Sequence, residues 1–147
     1  MKKGLTALVL LFISLGITIH AEDRGRVITF EKLPQTAIQF INQYFSKDQV
    51  LLISEESEIF EKEYKILLSN NASLKFDRNG EWTEVECKLN AVPNDLIPSK
   101  ISTWIDQKFP GIAVSEIQRE KRGWEVRLMN GISLEFDKYF NLVDYDD

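Results

Sequence analysis

Several short segments of this chain alternate between apolar and polar residues. In residues 64–68 and 124–128, every second side chain is large and apolar. A period of two is the pattern of a β-strand that buries one face, and antiparallel sheets commonly keep the other face solvated. Asn130-Gly131 follows the second segment, and this dipeptide is typical of a tight hairpin turn because both positions accept positive φ angles. The pattern therefore predicts antiparallel hairpins, with further strands near residues 50–57 and 112–121.

Two other segments have apolar residues at helical spacing. Each begins just after a proline, Pro34 or Pro98. Proline is well tolerated in the first turn of a helix because the N–H that it lacks would have no partner there. Apolar residues then recur every three or four positions, which predicts one amphipathic helix in each half of the chain. The residues with this spacing are Ala37, Ile41, Tyr44 and Phe45 in the first helix, and Ile101, Ile105 and Phe109 in the second.

The order of these elements occurs twice along the chain. Residues 73–77 align with residues 133–137 at a shift of 60, and four of the five positions are identical. Matches of this kind predict an internal repeat, with copies at about residues 26–89 and 96–147. The predicted fold class is α+β: a tandem repeat of a helix plus about four antiparallel strands. In this fold the helices pack on one face of the sheet and the other face is open.

The N-terminus has the organisation of a secretion signal. Lys2 and Lys3 precede an apolar stretch, and Ala21 supplies a small residue for cleavage. The apolar stretch is shorter than the roughly 20 residues that a membrane-spanning helix needs. We therefore predict a signal peptide over residues 1–21, cleaved near Ala21, and a single domain over residues 22–147 that is periplasmic or secreted. A retained membrane anchor is the alternative, but we expect no membrane insertion after signal cleavage.

Charge and residue types exclude several functions. The chain has 18 Lys and Arg against 23 Asp and Glu, and removing Lys2 and Lys3 changes its net charge from −5 to about −7. Nucleic-acid binders are expected to be basic, so no nucleic-acid partner is predicted. The only histidine, His20, lies in the signal, and Cys87 is the only cysteine, which excludes Cys/His zinc sites, Ser-His-Asp triads and intramolecular disulfides. We predict no enzyme, no catalytic residues, no metal site and no cofactor.

The segment at residues 82–88 supplies the main candidate binding residues. If the apolar Val85 faces the core, Trp82 and Glu84 face the opposite side of the sheet. A tryptophan among carboxylates on an open face would suit contact with a protein partner. The alternative is that loops or the other half of the chain cover Trp82. By the 60-residue shift, Leu142 takes the same side in the second half, beside Glu125 and Arg127. The predicted partner-binding residues are Trp82, Glu84, Glu86, Glu125, Arg127 and Leu142.

Other conspicuous residues have simpler interpretations. Trp124 shares a strand face with Val126 and is predicted to lie in the core. Cys87 is predicted to be a small buried side chain rather than a reactive thiol. Glu84 and Glu86 are two positions apart on a strand, hence about 7 Å apart on one face. Paired carboxylates can hydrolyse glycosides, so this chemistry stays as a minor alternative to binding.

Several motifs occur in order: Leu33-Pro34, Phe40-Ile41 and Tyr44-Phe45, then residues 64–68, 74–77 and 79–82. Together they resemble the PepSY-like family of small exported bacterial proteins, which are described as similar to the beta-lactamase inhibitor protein. The resemblance covers about residues 30–147. It implies a tandem helix-plus-four-strand domain with a sheet face that grips a partner protein, and it supplies no catalytic residues. Inhibition of a β-lactamase would follow only by analogy of fold.

Two functions are compatible with these observations. The first is an exported, non-enzymatic module that binds a protein or peptide through the open face of its sheet. The second is small-ligand or cell-envelope sensing in the cleft between the two repeats. A protein that is captured in stoichiometric amount would favour the first hypothesis, and a ligand that raises the melting temperature would favour the second.

Overall fold

A computed structural model of the protein describes residues 25–147. The predicted signal peptide, residues 1–21, lies outside the described residues. The two α-helices within residues 25–147 have ten residues each. None of the helices in this part of the chain is long and apolar enough to cross a lipid bilayer.

Antiparallel β-strands are the main secondary structure of the described chain. The strands are β1 (Arg26–Val27), β2 (Val50–Ser57), β3 (Lys62–Leu68), β4 (Ala72–Asp77), β5 (Trp82–Cys87), β6 (Val114–Glu120), β7 (Gly123–Leu128), β8 (Ser133–Asp137) and β9 (Leu142–Asp146), and the α-helices are α1 (Gln35–Tyr44) and α2 (Ser99–Lys108). All nine strands belong to one sheet, in which each strand lies beside its neighbours in sequence. α1 lies between β1 and β2 in the chain, and α2 lies between β5 and β6.

The predicted fold class is wrong. The described residues form one continuous sheet of nine antiparallel strands with two α-helices, and not a tandem repeat of a helix with four strands of its own. β5 and β6 pair directly, with Val85 opposite Ile117 and Glu86 opposite Glu116. Two separate half-sheets would each leave a central edge with unpaired backbone groups, and buried backbone groups require partners. Pairing of β5 with β6 satisfies both edges.

Both helices pack on the same face of the sheet. Phe40 of α1 contacts Phe76 of β4 edge-on, with ring centroids 5.3 Å apart. Trp104 of α2 contacts Phe136 of β8 in the same manner at 5.7 Å. Phe76 and Phe136 are completely or almost completely buried. Burying an apolar side chain of this size contributes about 1.5–3 kcal/mol, so the layer between the helices and the sheet is the core.

The register of the sheet shifts by one residue at four places. The shifts fall between Val50 and Leu52 in β2, opposite Lys75 and Phe76 in β5, between Val114 and Glu116 in β6, and opposite Glu135 and Phe136 in β9. An extra residue on one strand interrupts the alternation of faces and increases the local twist. Two residues that are two positions apart on a strand therefore face opposite sides of the sheet when a shift lies between them.

Candidate functional site

We call the sheet face opposite the helices the open face, and two rows of side chains cross it. Cross-strand partners on one face of a sheet lie about 4.5–5.5 Å apart and interact directly. The first row is Ser54, Lys65, Lys75, Glu84, Gln118, Glu125, Glu135 and Asp144, and the second row is Leu52, Leu67, Ser73, Glu86, Glu116, Arg127, Ser133 and Asp146. Four of the predicted site residues lie in these rows: Glu84, Glu86, Glu125 and Arg127.

The prediction that Trp82 lies on the open face is wrong. Trp82 pairs with Phe76 of β4, but Glu84 pairs with Lys75, so Thr83 is an extra residue in β5. The sequence prediction assumed an unbroken period of two, which would place Trp82 and Glu84 on one face. The extra residue cancels this relation. Trp82 therefore points towards the helices, whereas Glu84 points away from them.

The same assumption places Leu142 on the open face, and this prediction is also wrong. Leu142 pairs with the buried Phe136, whereas Asp144 pairs with Glu135. Val143 is thus the extra residue in β9, in the position that Thr83 has in β5. Leu142 is partly buried and packs against the core, so it contributes to the helix side of the sheet.

The turns before β5 and β9 set the start of each strand. Asp77 Oδ1 accepts hydrogen bonds from the backbone N–H groups of Asn79 and Glu81 at 2.8 and 3.0 Å. Asp137 makes the two corresponding hydrogen bonds before β9, at 2.8 and 2.9 Å. Aspartate favours turns because its side chain can replace a backbone acceptor. The aspartates were visible in the sequence, but the extra strand residue that follows each turn was not.

Trp82 is part of a packed aromatic cluster. Its exposed fraction is 9%, and its ring centroid lies 6.2 Å from that of Phe40 and 6.2 Å from that of Trp124. The guanidinium carbon of Arg119 lies 4.0 Å from the Trp82 ring centroid, a cation–π geometry. Arg119 Nε also donates a hydrogen bond to the Trp82 carbonyl oxygen at 2.8 Å. Arg119, which the sequence did not single out, thus supplies a donor to the backbone at the bulge.

The centre of the open face holds a carboxylate that is almost fully buried. Glu84 is 5% exposed, and its Oε2 atom lies 2.8 Å from Lys75 Nζ in an ion pair. Burial lowers the pKa of Lys75, but the hydrogen bond and the charge of Glu84 outweigh this effect, so the pKa of Lys75 is raised overall. The neighbouring Lys65 is paired as well, with Glu56 at 2.8 Å. The lysines at this end of the open face therefore already have anionic partners.

Glu116 is the most strongly perturbed carboxylate of the face. It is 6% exposed, and its Oε2 atom lies 3.0 Å from Arg127 Nη1. Desolvation is the largest effect and raises the pKa of Glu116 to about 7; Arg127 opposes it, and the nearby Glu84, Glu86 and Glu125 reinforce it. Alternation in the sequence does not identify Glu116, because Val114 and Glu116, two positions apart, lie on opposite faces across a register shift.

Beyond Arg127, the open face is acidic. Glu125, Glu135 and Asp144 lie directly opposite one another on β7, β8 and β9. Burial raises the pKa of Glu125 and of Glu135, and the neighbouring carboxylates, including Glu120, raise both further. Like charges at directly opposite positions destabilise a sheet. The fold therefore carries an electrostatic cost at this end of the face.

Metal binding and thiol chemistry are two further possibilities for the described residues. Within residues 25–147, no three or more His, Cys, Asp or Glu side chains are placed to hold a metal ion together. Cys87 is buried on the helix side. Burial, followed by the charge of Glu86, raises the pKa of the Cys87 thiol, and a raised pKa disfavours the reactive thiolate.

The sequence and the fold both match known proteins. The family described as "Putative beta-lactamase-inhibitor-like, PepSY-like" matches residues 11–78 and 62–144. The chain belongs to the PepSY-like family. The resemblance inferred from the sequence motifs is thereby confirmed. Among proteins with curated functions, none shows significant similarity to this chain.

Crystal structures of similar proteins have the same fold. A putative periplasmic protein from Bacteroides vulgatus is 37% identical, with a TM-score of 0.81 over 87% of this chain and 100% of that one. A putative calcium-regulated periplasmic protein from Bacteroides thetaiotaomicron is 38% identical, with a TM-score of 0.81 over 85% and 98%. Another putative periplasmic protein from Bacteroides vulgatus, of unknown function, is 31% identical, with a TM-score of 0.78 over 84% and 99%.

Proposed function

We propose that this PepSY-like protein is an exported, non-enzymatic binding protein of the bacterial periplasm that engages a protein or peptide through the open face. Three observations support the proposal: the N-terminal secretion-signal pattern, the description of similar structures as periplasmic proteins, and the family's description as inhibitor-like. None of these descriptions names a catalytic activity. Glu84, Glu86, Glu125 and Arg127 are the residues proposed to contact the partner, without Trp82 and Leu142.

The observation that carries the proposal is the chemistry of the open face. Neither α1 nor α2 packs on it, because both helices contact the opposite face. Its two rows of side chains contain an ion pair between the buried Glu116 and the partly exposed Arg127, and an opposed set of carboxylates. The cost of desolvating a charge offsets much of the gain from its ion pair, and opposed like charges reduce stability. Such a surface is better suited to recognition than to stability of the isolated domain.

The alternative, a small-ligand site in a cleft between two repeats, has less support from the geometry of the sheet. The cleft was expected where one half of the chain meets the other. β5 and β6 form a continuous antiparallel ladder at that place, with Glu84 opposite Gln118 and Glu86 opposite Glu116. We therefore place the proposed binding function on the face of the sheet.

Affinity capture tests the proposal. The exported protein, purified from its own host, is immobilised and incubated with periplasmic extract, with and without calcium because one relative is described as calcium-regulated. We expect one stoichiometric protein partner that is lost with the variant Glu86→Lys/Glu125→Lys. The control Glu58→Lys/Glu61→Lys makes the same charge change at exposed positions between β2 and β3 and should retain the partner. Capture that is unaffected by the open-face variant would contradict the proposal.

Export is tested separately on the native protein. The mature form should be recovered from the periplasmic fraction with an N-terminus near Glu22, because cleavage is predicted near Ala21. Mass spectrometry of the intact protein measures this directly. Membrane-bound protein that still begins at Met1 would show that the N-terminal segment is retained as an anchor.

A further inference from the structure

The open face differs in chemistry between its two ends. At the β7–β9 end, both rows finish in carboxylates, and three of them, Glu125, Glu135 and Asp144, are directly opposite one another. At the β2–β3 end, the second row finishes in the apolar pair Leu52 and Leu67. One surface thus has an acidic end and an apolar end, separated by the strands at its centre.

The acidic end is only partly neutralised, because the charge of Arg127 lowers the pKa of Glu125 whereas only carboxylates act on Glu135. Among the ion pairs formed between residues 25 and 147, none involves Glu125, Glu135 or Asp144. A separate observation points the same way. Gln118 Oε1, next to Glu125 in the first row, is buried and accepts no hydrogen bond from the described residues. Buried acceptors are normally satisfied, so this end of the face suits a group that carries positive charge and donates hydrogen bonds.

The apolar end is partly open to solvent. Leu52 and Leu67 are directly opposite each other and are 46% and 45% exposed. A shallow cavity of about 210 Å³ adjoins them and is also lined by Lys65 and Lys75. Both lysines are in ion pairs with carboxylates of the open face, so the cavity is better suited to an apolar side chain than to an anion.

We propose that the partner is a polypeptide segment that lies across the strands, with basic side chains over Glu125, Glu135 and Asp144 and an apolar side chain against Leu52 and Leu67. This inference rests on the proposed function and specifies its partner. From β3 to β8 there are five strand spacings, or about 24 Å at roughly 4.8 Å each. An extended chain advances about 3.3 Å per residue, so about seven residues separate the apolar anchor from the centre of the basic cluster.

A single cation or a purely electrostatic partner would not use this arrangement. A single cation would make no favourable contact with the apolar Leu52–Leu67 end. A polycation would bind any cluster of surface carboxylates. The proposed segment requires both ends together, because desolvated apolar contacts supply most of the binding energy at an interface and charges supply orientation and specificity. The need for both the apolar and the acidic end distinguishes the proposed segment from a partner that is attracted non-specifically to an acidic protein.

A random-peptide display library tests the proposal without assuming a sequence. The peptides have about twelve residues, enough to span the face at roughly 3.3 Å per residue. The wild-type protein is compared with Glu125→Gln/Glu135→Gln/Asp144→Asn and with Leu67→Ser. The control Glu58→Gln/Glu61→Gln/Asp106→Asn removes the same charge at exposed positions away from the face. Thermal melting of each variant checks that it is folded.

We expect enriched peptides with an apolar residue about seven positions from a basic cluster. Their affinity should fall about tenfold or more in each open-face variant and stay unchanged in the control. Peptides that depend on the open face but lack this pattern would overturn the inferred partner and leave the proposed function standing. Loss of affinity in the control as well would overturn the inference, because it would show non-specific attraction. If no peptide depends on the open face, the inference fails, and the capture experiment decides the function independently.

Discussion

At the scale of single residues, Trp82 shows how one extra residue changes a functional assignment. The sequence prediction placed it on the open face as an anchor for a partner. Thr83 interrupts the alternation in β5, and Trp82 packs instead between Phe40 and Trp124 under the guanidinium of Arg119. Trp82 and Trp124, which the sequence assigned to opposite faces, are therefore neighbours on one face.

Replacing Trp82 by alanine should destabilise the fold strongly. Removing a large buried aromatic side chain typically costs about 3–5 kcal/mol in free energy of unfolding. The Arg119 guanidinium would also lose the ring that it stacks on. Urea unfolding followed by circular dichroism measures the effect. Tyr139→Ala, at a position that is 64% exposed, should change the free energy of unfolding by no more than about 0.5 kcal/mol. Equal effects of the two substitutions would contradict the packing described for Trp82.

At the scale of elements, the β7–β8 hairpin depends on a close approach of two backbones. A Cβ atom at Gly123 would lie 1.9 Å from the Phe136 carbonyl oxygen. Gly123 is paired with Asp137 at the end of the ladder. A side chain at this position therefore requires β7 and β8 to separate, and both strands contribute carboxylates to the acidic end of the open face.

Gly123→Ala should destabilise the protein by about 2–4 kcal/mol, because overpacking against backbone forces strand displacement. Gly131→Ala is the matched comparison. Gly131 has a φ of 91°, but an added Cβ would have no neighbour within 4 Å, so its cost should be only about 1 kcal/mol of backbone strain. Thermal unfolding of the two variants side by side tests this order. A Gly123→Ala protein at least as stable as Gly131→Ala would show that β7 and β8 do not approach each other in this way.

At the scale of the whole molecule, the acidic open face links stability to pH. Glu116 has a folded-state pKa of about 7, above the usual 4.5, chiefly because it is buried. The folded state thus holds this proton more tightly than the unfolded state does. The contribution to stability is complete below pH 4.5 and is lost as pH rises from about 4.5 to 7. At 1.36 kcal/mol per pKa unit, the loss amounts to about 3 kcal/mol.

Glu116→Gln should remove much of this decline. The free energy of unfolding of the wild type is expected to fall between pH 4.5 and 7.5, and that of the variant should fall less, since glutamine does not ionise. Some decline will remain, because burial also raises the pKa of Glu63, Glu125 and Glu135. Denaturant unfolding over this pH range measures both curves. Glu58→Gln, an exposed control, should follow the wild type, and a Glu116→Gln curve parallel to the wild type would rule out the assignment.

The sequence by itself determined the local elements and the family. The period of two predicted strands at residues 64–68 and 124–128, which lie in β3 and β7, and the prolines Pro34 and Pro98 directly precede α1 and α2. These features depend on neighbouring residues, because alternation and helix initiation are properties of short segments. The placement of Glu84, Glu86, Glu125 and Arg127 on one face also followed, since no register shift lies between Glu84 and Glu86 or between Glu125 and Arg127.

Only the tertiary structure decided how the strands combine and which aromatic residues are buried. The pairing of Val85 with Ile117 joins β5 to β6 and makes one sheet of nine strands. The extra residues Thr83 and Val143 turn Trp82 and Leu142 towards the helices. Both outcomes depend on contacts between residues far apart in sequence. The backbone groups at the edge of a strand need hydrogen-bonding partners on another strand. A bulge is tolerated where packing and a hydrogen-bond donor such as Arg119 compensate for the interrupted ladder. Local alternation contains no information about either contact.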